Sequence, residues 1–372
     1  MNNWAVVTLG EIIRLEYGKS LPETKRAPGP YPVVGSSGVV GSHVSSFVDG
    51  PAIVVGRKGT VGAVTYVDSP CCPIDTTYFV VHDSRRTDLK WLYYMLVSLS
   101  LARLNTATGV PGINREAVYS LAVPLPPLPE QRRIAEILGS VDGLIKNSKV
   151  MIRNLNHMYS ASFTIFSETV TRKVKLKDLG SWSGGGTPSM NEQRYWRGGS
   201  ILWVTPKDFG SPTIMDTKFK ITPAAVQEKG LRTFPPSSIM IVVRSGILRH
   251  RVPIATSAVP FTVNQDLKVL APSSDVEPHY IFHALRSLEP QILNRCVKSG
   301  TTVESVDVPS LKELSIPLPH RAVQKRIGVM LTVHDQLASN YESSFEQLLR
   351  LKEGLAIDLL SSGSRSIERV AK

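Results

Sequence analysis

Hydrophobic residues recur at alternating steps of four and three in two long stretches of the chain, 134–166 and 327–359. This spacing places them on one face of an α-helix and is typical of coiled coils. The row in the first stretch contains Ile134, Leu138, Val141, Ile145, Ser148, Ile152, Leu155, Tyr159, Ser162 and Phe166. The second row has polar breaks at His334 and Lys352. The pattern predicts two long helices, either paired or packed separately on unrelated cores.

Proline usage indicates where these helices begin. All 26 prolines lie outside the windows 130–187 and 320–372. Each window follows a proline-rich segment, Val123–Pro129 in one case and Ile316–Pro319 in the other. Proline disfavours helix at the residue before it but suits the first helical turn. We therefore expect helices over residues 129–168 and 321–360.

The chain also repeats itself. Adding 193 to the residue numbers aligns the first proline-rich segment and the helix after it with the second. The matched residues include Pro124/Pro317, Gln131/Gln324, Ile134/Ile327 and Asp142/Asp335. Upstream, Ile53–Arg57 resembles Met240–Arg244, and Trp91–Leu96 resembles Tyr280–Leu285, at other offsets. Each copy is predicted to be a mixed α/β globule followed by a long helix.

The repeat predicts an α+β fold. Two copies imply a pseudo-two-fold arrangement, and pairing the helices buries both hydrophobic rows. We expect two mixed α/β domains separated by two long helices that form an antiparallel coiled coil, with the domains near opposite ends. The expected boundaries are 1–128 for the first domain, 129–168 for the central helix, 169–320 for the second domain, 321–360 for the C-terminal helix and 361–372 for a tail.

Composition narrows the class of protein. The 372 residues include 43 Lys and Arg against 31 Asp and Glu, a net charge of +12. That excess favours a polyanionic partner, although solubility alone also accounts for it. Three cysteines make no disulfide framework, and neither a signal peptide nor a membrane-length apolar run is present. We expect a cytoplasmic protein.

Catalytic patterns are absent from the sequence. The glycine runs Gly35–Gly41 and Gly56–Gly62 lack the dinucleotide-binding spacing, and no Walker motif occurs. His279 and His283 stand four residues apart on a predicted helix but have no third metal ligand nearby. We expect neither a catalytic site, a metal nor a cofactor in this chain.

Several motifs, in their order along the chain, are similar to those of a known family. They are Tyr31–Gly41, Gly56–Gly62, Asp75–Tyr78, Leu125–Ile134, Gly185–Pro188, Tyr195–Gly199, Trp203–Asp208 and Asn264–Asp266. Together with the duplicated plan, they resemble the specificity (S) subunit of type I restriction–modification systems. Val323 departs from the pattern, because the first copy has Glu130 at the matching position.

The resemblance implies a non-catalytic DNA-binding subunit. In that family, two target-recognition domains each bind half of an asymmetric, interrupted DNA site. The helices hold two methyltransferase (M) subunits that methylate adenine, and restriction (R) subunits can join them. S-adenosylmethionine, ATP and Mg²⁺ are then expected on the partner subunits. The alternatives are a diverged nuclease or methyltransferase, and a coiled-coil scaffold that does not bind DNA.

Basic and small polar residues near glycines are the candidates for DNA contact, since Lys and Arg bind phosphates and a bidentate Arg can read guanine. The candidates in the first domain are Lys19, Ser36, Ser37, Arg57, Lys58 and Thr60. Those in the second are Lys207, Arg244, Arg249, Arg251, Gln265, Ser299, Thr301 and Thr302. For each, a solvated surface residue is the alternative interpretation.

Overall fold

The computed structural model describes residues 4–105, 112–300 and 303–361. The chain forms two compact units: the first contains residues 1–149 and 343–372, and the second contains residues 150–342. Two long helices, Leu128–Thr169 and Arg321–Ser361, agree with the pattern of hydrophobic residues. Each begins in one unit and ends in the other. No helix in the described ranges is long and apolar enough to cross a membrane.

The first unit combines strands with helices. Its strands are β1 (Ala5–Thr8), β2 (Ile13–Tyr17), β3 (Tyr31–Gly35), β4 (Gly38–His43), β5 (Ala52–Gly56), β6 (Val64–Val67), β7 (Cys72–Pro73), β8 (Thr77–His82) and β9 (Ala122–Leu125). Its helices are α1 (Leu89–Ser98), α2 (Arg115–Tyr119) and the first part of α3 (Leu128–Thr169). The last part of the second long helix completes it.

An antiparallel sheet of order β2-β8-β5-β6 is the centre of the first unit, with the smaller groups β4-β3-β7 and β1-β9 beside it. Trp91 and Leu92 of α1 are fully buried with the sheet, as are Ile134 and Leu138 of α3. Leu360 joins the same core from the other long helix. The predicted helix row thus packs partly on the globule at this end, and not only on a second helix.

The second unit also combines strands with helices. Its strands are β10 (Lys173–Lys175), β11 (Gly180–Gly184), β12 (Ile201–Val204), β13 (Thr213–Ile214), β14 (Lys220–Ile221), β15 (Ile239–Val242), β16 (Ile254–Ser257), β17 (Phe261–Val263), β18 (Leu267–Pro272), β19 (Val297–Lys298), β20 (Ser305–Val306) and β21 (Ser315–Pro317). Its helices are α4 (Pro223–Glu228), α5 (Pro278–Ser287), α6 (Glu289–Arg295), α7 (Val308–Glu313) and the first part of α8 (Arg321–Ser361).

The sheets repeat the plan of the first unit. The order β11-β18-β15-β16, extended by β13, matches β2-β8-β5-β6, and the pair β10-β21 matches β1-β9. A further sheet, β14-β12-β17, belongs to the second unit. Phe163 of α3 and Leu331 of α8 are buried in the main core with α5. Phe163 is not part of the predicted helical row; its neighbour Ser162, which is, has a side chain outside the described residues.

A buried glutamine joins each long helix to its globule. Gln131 is fully buried; its Oε1 accepts from the Asp88 amide at 2.8 Å, and its Nε2 donates to the carbonyls of Arg86 and Pro126. In the second unit, Gln324 accepts from the Glu277 amide at 2.9 Å and donates to the Pro319 carbonyl at 2.9 Å. A buried amide with all its partners holds the helix start firmly against α1 or α5.

Within the first unit the two helix segments run antiparallel. Asp142 of α3 pairs with Lys352 of α8 at 2.6 Å, and Lys149 lies 5.3 Å from the ring of Phe345. The residue numbers rise along one helix as they fall along the other. Asp142 also accepts from the Tyr94 hydroxyl at 2.8 Å. Lys352, which interrupts the hydrophobic row in the sequence, therefore forms an ion pair with the facing helix.

The second unit has a matching polar cluster at Asp335, the repeat equivalent of Asp142. Arg286 donates to Asp335 and lies 5.1 Å from the ring of Tyr159 on α3. His283 is buried and hydrogen-bonds Tyr159 and Thr332, at 3.0 and 3.1 Å. Burial, with Arg286 nearby, lowers the pKa of His283 to about 3. The predicted helical histidine is a neutral core residue.

Replacing Gln131 by leucine should lower stability by about 2–3 kcal/mol, because buried backbone groups lose their partners. Urea unfolding followed by Trp fluorescence measures the change. Gln347→Leu, at an exposed position of α8, is the control and should stay within about 0.5 kcal/mol of wild type. Equal effects of the two substitutions would contradict the role assigned to the buried amide.

His283→Asn should weaken the pH dependence of stability. The neutral ring contributes fully above pH 6.5, where the unfolded histidine is also neutral, and its contribution falls as the pH drops toward about 3. The slope in that window is at most about 1.4 kcal/mol per pH unit. Unfolding at several pH values measures it, and the exposed His320→Asn is the control. A variant slope equal to wild type would refute this assignment.

Candidate nucleic-acid interface

In the first unit, the candidate residues gather around the segment 73–77. The Lys19 amide donates to the Pro73 carbonyl at 3.0 Å, and the Arg57 amide donates to the Thr76 carbonyl at 2.9 Å. Lys19 is exposed, with its Nζ 4.9 Å from the ring of Phe47. Two cationic residues from distant parts of the sequence therefore flank one short segment.

The turn between β3 and β4 lies against the loop that follows β5. Ser36 and Ser37 form this turn, and a Cβ added at Gly59 would come within 3.0 Å of the Ser36 hydroxyl. Gly59 has φ of +78°, a conformation that glycine adopts without strain. Ser37, Lys58 and Thr60 are exposed. The structure thus groups these predicted residues on one surface.

Arg57 is held more tightly than a free surface cation. One Nη donates to the Asp75 carbonyl at 2.6 Å, and the guanidinium lies 5.2 Å from the ring of Tyr17 and 5.9 Å from that of Tyr78. Its Nε is buried and has no hydrogen-bond partner among the residues placed in the structure. The guanidinium of Arg115 also lies against the ring of Tyr17, at 4.8 Å.

The sequence interpretation missed Tyr17 and Arg115. Tyr17 is an alternating strand residue and Arg115 begins a short helix, so neither lies near the glycine motifs that drew attention to Arg57. Tyr17 is 48% exposed although it ends a strand of the central sheet. Alternation places Tyr17 on the same face as the buried Ile13 and Leu15, so the strand pattern gave no signal that its ring is exposed.

In the second unit, Arg244 follows the central strand β15 and is exposed. Its amide donates to the Asp266 carbonyl at 3.2 Å, and no ion pair of its side chain occurs within the described part of the chain. Gln265 is exposed beside Asp266 and accepts from the Thr187 hydroxyl. Lys207 is exposed in the turn after β12, whose last residue, Val204, accepts from the Asn264 amide. These three candidates therefore share one region.

Arg249 and Arg251 have other surroundings. Arg249 donates to Glu304, and this contact lowers the pKa of the Glu304 carboxyl. Its charge is thereby partly neutralised. Arg251 lines a cavity of about 300 Å³ together with Arg286 and Asp335, beside α8. Ser299 is exposed after β19, while Thr301 and Thr302 lie outside the described residues.

The strand register corrects the sequence match between the two copies. Lys58 bridges to Gly112, and Arg244 bridges to Ser305, which lies 193 residues beyond Gly112. The amide of Ile113 donates to the Arg57 carbonyl, as that of Val306 donates to the Val243 carbonyl. Lys58, and not Arg57, is therefore the counterpart of Arg244. Short hydrophobic strands match equally well when shifted by one residue, so the sequence alone could not fix this register.

Each unit therefore presents an exposed cation, Lys58 or Arg244, directly after the central strand of its sheet. Each lies beside the loop that precedes α2 or α7. Exposed Lys and Arg side chains on polar loops can bind phosphates or the acceptor edges of bases. Among the residues that the structure describes, no group of three His, Cys, Asp or Glu could hold a metal ion.

Comparisons with known proteins give a consistent result. A family model described as the type I restriction modification DNA specificity domain matches residues 1–156 and 169–347. The specificity subunit of the Escherichia coli type I restriction enzyme EcoR124I/EcoR124II is 31% identical over 279 residues, which cover 73% of this chain and 69% of that protein. The MjaVIII specificity subunit of Methanocaldococcus jannaschii is 23% identical over 414 residues, covering 99% and 94%.

Solved structures share the fold. The S subunit of the type I restriction–modification system from M. genitalium superposes with a TM-score of 0.72 at 19% identity, covering 96% of both chains. A chain from a structure on complex assembly and conformational transition of the type I R-M system has a TM-score of 0.52 at 15% identity, covering 97% of this chain and 98% of that one. The two matched regions of the family model each contain one copy of the repeat. The chain belongs to the type I restriction–modification DNA specificity family.

Proposed function

We propose that the chain is the sequence-reading subunit of a type I restriction–modification complex. It binds a bipartite, asymmetric DNA site, one half-site with each unit, and has no catalytic role of its own. The observation that carries the proposal is the duplicated scaffold, which places an exposed cation at equivalent positions, Lys58 and Arg244, after the central strand of each unit.

Differences around these two positions support an asymmetric site. Lys58 follows Arg57 and lies on the same loop as Thr60, whereas Arg244 follows Val243 and precedes the Ser245–Arg249 turn. Sequence is read by side chains at base edges, while phosphate contacts are shared by all sequences. Two scaffolds with different side chains at the same position should therefore read different half-sites.

The charge balance supports double-stranded DNA as the partner. The net charge is +12, and Lys19, Lys58, Lys207 and Arg244 are exposed near the candidate sites. Release of counterions from DNA makes such contacts favourable and dependent on salt. A scaffold that binds only proteins predicts no salt-dependent binding to duplex DNA.

Partner subunits supply the chemistry in this proposal. Two adenine methyltransferase subunits dock on the long helices, and restriction subunits can join them. Apolar side chains support this, because one face of α8 exposes Val329, Met330, Val333 and Leu337 by 43–54%. S-adenosylmethionine, ATP and Mg²⁺ would bind to those partners.

Mapping of methylated adenines in cells that contain the chain and its methyltransferase should return one bipartite motif with unequal halves and an unread spacer of about 5–8 base pairs, because the half-sites lie about one DNA turn apart. A single continuous motif, or methylation that does not require this chain, would contradict the proposal. The purified chain alone, with S-adenosylmethionine or with Mg²⁺, should neither methylate nor cut DNA.

The long helices should set the spacer length. We propose inserting the same seven residues after Val150 and after Ser343, which lie at equivalent places of the repeat, so that the antiparallel pairing is kept. Seven residues add about 10.5 Å, which corresponds to about three base pairs. Methylation mapping should return a spacer longer by that amount.

A control replaces seven native residues at each of these places by the same sequence, so that the helix length stays constant. Its spacer should equal that of the wild-type protein. An unchanged spacer in the lengthened protein would refute the role of the helices in setting the distance.

Arg244→Ala should weaken binding to the native site by about 1–3 kcal/mol and relax one position of the second half-site, if Arg244 contacts a base. Lys58→Ala should act on the first half-site alone. Competition binding against duplexes with single-base changes measures both effects. Arg251→Ala is the control, because Arg251 lines the separate cavity beside α8. Equal loss on every duplex would make Arg244 a phosphate contact instead.

A further inference from the structure

The first unit contains an aromatic cluster that no sequence motif indicated. The ring of Tyr17 lies 4.8 Å from the guanidinium of Arg115 and 5.2 Å from that of Arg57, and 5.1 Å from the ring of Tyr78. Tyr78 is buried, but Tyr17 is 48% exposed. Two cations on one ring restrain its movement by cation–π attraction.

Both guanidinium groups are fixed by the backbone. Arg115 donates to the Leu15 carbonyl at 3.3 Å, on the same strand as Tyr17, and Arg57 donates to the Asp75 carbonyl at 2.6 Å. The Tyr78 hydroxyl donates to the Ile113 carbonyl at 3.2 Å. The ring of Tyr17 is therefore an exposed apolar surface held in one place, at little further cost in conformational entropy on binding.

The second unit has the same scaffold without this cluster. Tyr17 is paired with Tyr78, and at the corresponding place Gly184 is paired with Lys268. Val243 replaces Arg57, and Val308 stands 193 residues beyond Arg115. Since the second unit folds with the same sheet order without these side chains, the scaffold does not require them. A feature confined to one of two equal scaffolds fits the reading of one half-site.

We propose that Tyr17 contacts a base of the first half-site directly, and that Arg57 and Arg115 are positioning residues that hold its ring. The inference rests on the proposed function. The base is a thymine, because its 5-methyl group is the apolar feature that the major groove presents to a side chain.

The test compares thymine with deoxyuridine, which lacks only the methyl group, at each thymine of the first half-site in a duplex bound by the complete methyltransferase complex. The wild-type complex should bind about fourfold more weakly when one particular thymine is replaced, as expected for one buried methyl group. Tyr17→Ala should remove this discrimination, and Tyr17→Phe should keep it.

Arg57→Leu and Arg115→Leu should each reduce the ratio of thymine to deoxyuridine affinity without changing the base preferences of the second half-site. A merely structural role would weaken binding to all duplexes and leave that ratio unchanged. Phe219→Ala is the matched control, because Phe219 of the second unit is 41% exposed and has Lys218 5.5 Å from its ring. It should leave the ratio at wild type.

Three results would overturn the inference: a first half-site without thymine, a Tyr17→Ala complex that discriminates like wild type, or one that loses binding to all duplexes alike. The third result would mean that the Tyr17 ring stabilises the fold and does not contact a base. Failure of the proposed function is distinguishable from these outcomes, since it would appear in the wild-type protein as the absence of a bipartite methylated site.

Discussion

One buried amide in each copy fixes where the long helix begins on its own globule. Gln131 joins the start of α3 to the backbone at Arg86, Asp88 and Pro126, and Gln324 makes two matching contacts for α8, at Glu277 and Pro319. The amide cannot turn away without leaving buried donors and acceptors unpaired, which costs more than the bonds contribute when formed. The proline-rich exit, the long helix and the globule are thereby joined at one point.

The scaffold is repeated but its surfaces are not. The sheet order, the strand pairs β1-β9 and β10-β21, and the buried glutamine at the start of each long helix recur in both units. The positions after the central strand differ, with Arg57 and Lys58 in one unit and Val243 and Arg244 in the other. The polar clusters at Asp142 and Asp335 differ as well. Tyr94 and Lys352 bind Asp142, whereas Arg286 binds Asp335. Duplication has preserved the packing that fixes backbone position, and divergence has changed the side chains that this packing presents.

Much of this architecture could be predicted because periodicity and proline are strong local signals. These signals predicted the long helices and the repeat. What the sequence could not provide depends on tertiary contacts: Ile134 and Leu138 pack on the globule as well as belonging to the helical row, and Phe163 is buried although it lies outside the row. A local pattern does not identify the partner of a buried face.

The candidate site was predictable by residue type but not by register. Lys58 and Arg244 were both among the candidates, but only strand pairing shows that they are counterparts. Arg251 was selected for its charge, and the structure places it at a cavity beside α8. Tyr17 was missed because an aromatic residue at the end of a strand has the same local pattern whether it packs inward or remains exposed.

The first unit is assembled from two distant pieces of the chain, and this has a consequence for biosynthesis. Leu355, Leu359 and Leu360 cover a core that otherwise comes from the N-terminal part. A ribosome completes residues 150–342 before it adds that cover, so the second unit has all its residues while the first still lacks part of its own. Until the last helical turns emerge, the apolar surface that these leucines cover in the first unit stays exposed on the nascent chain.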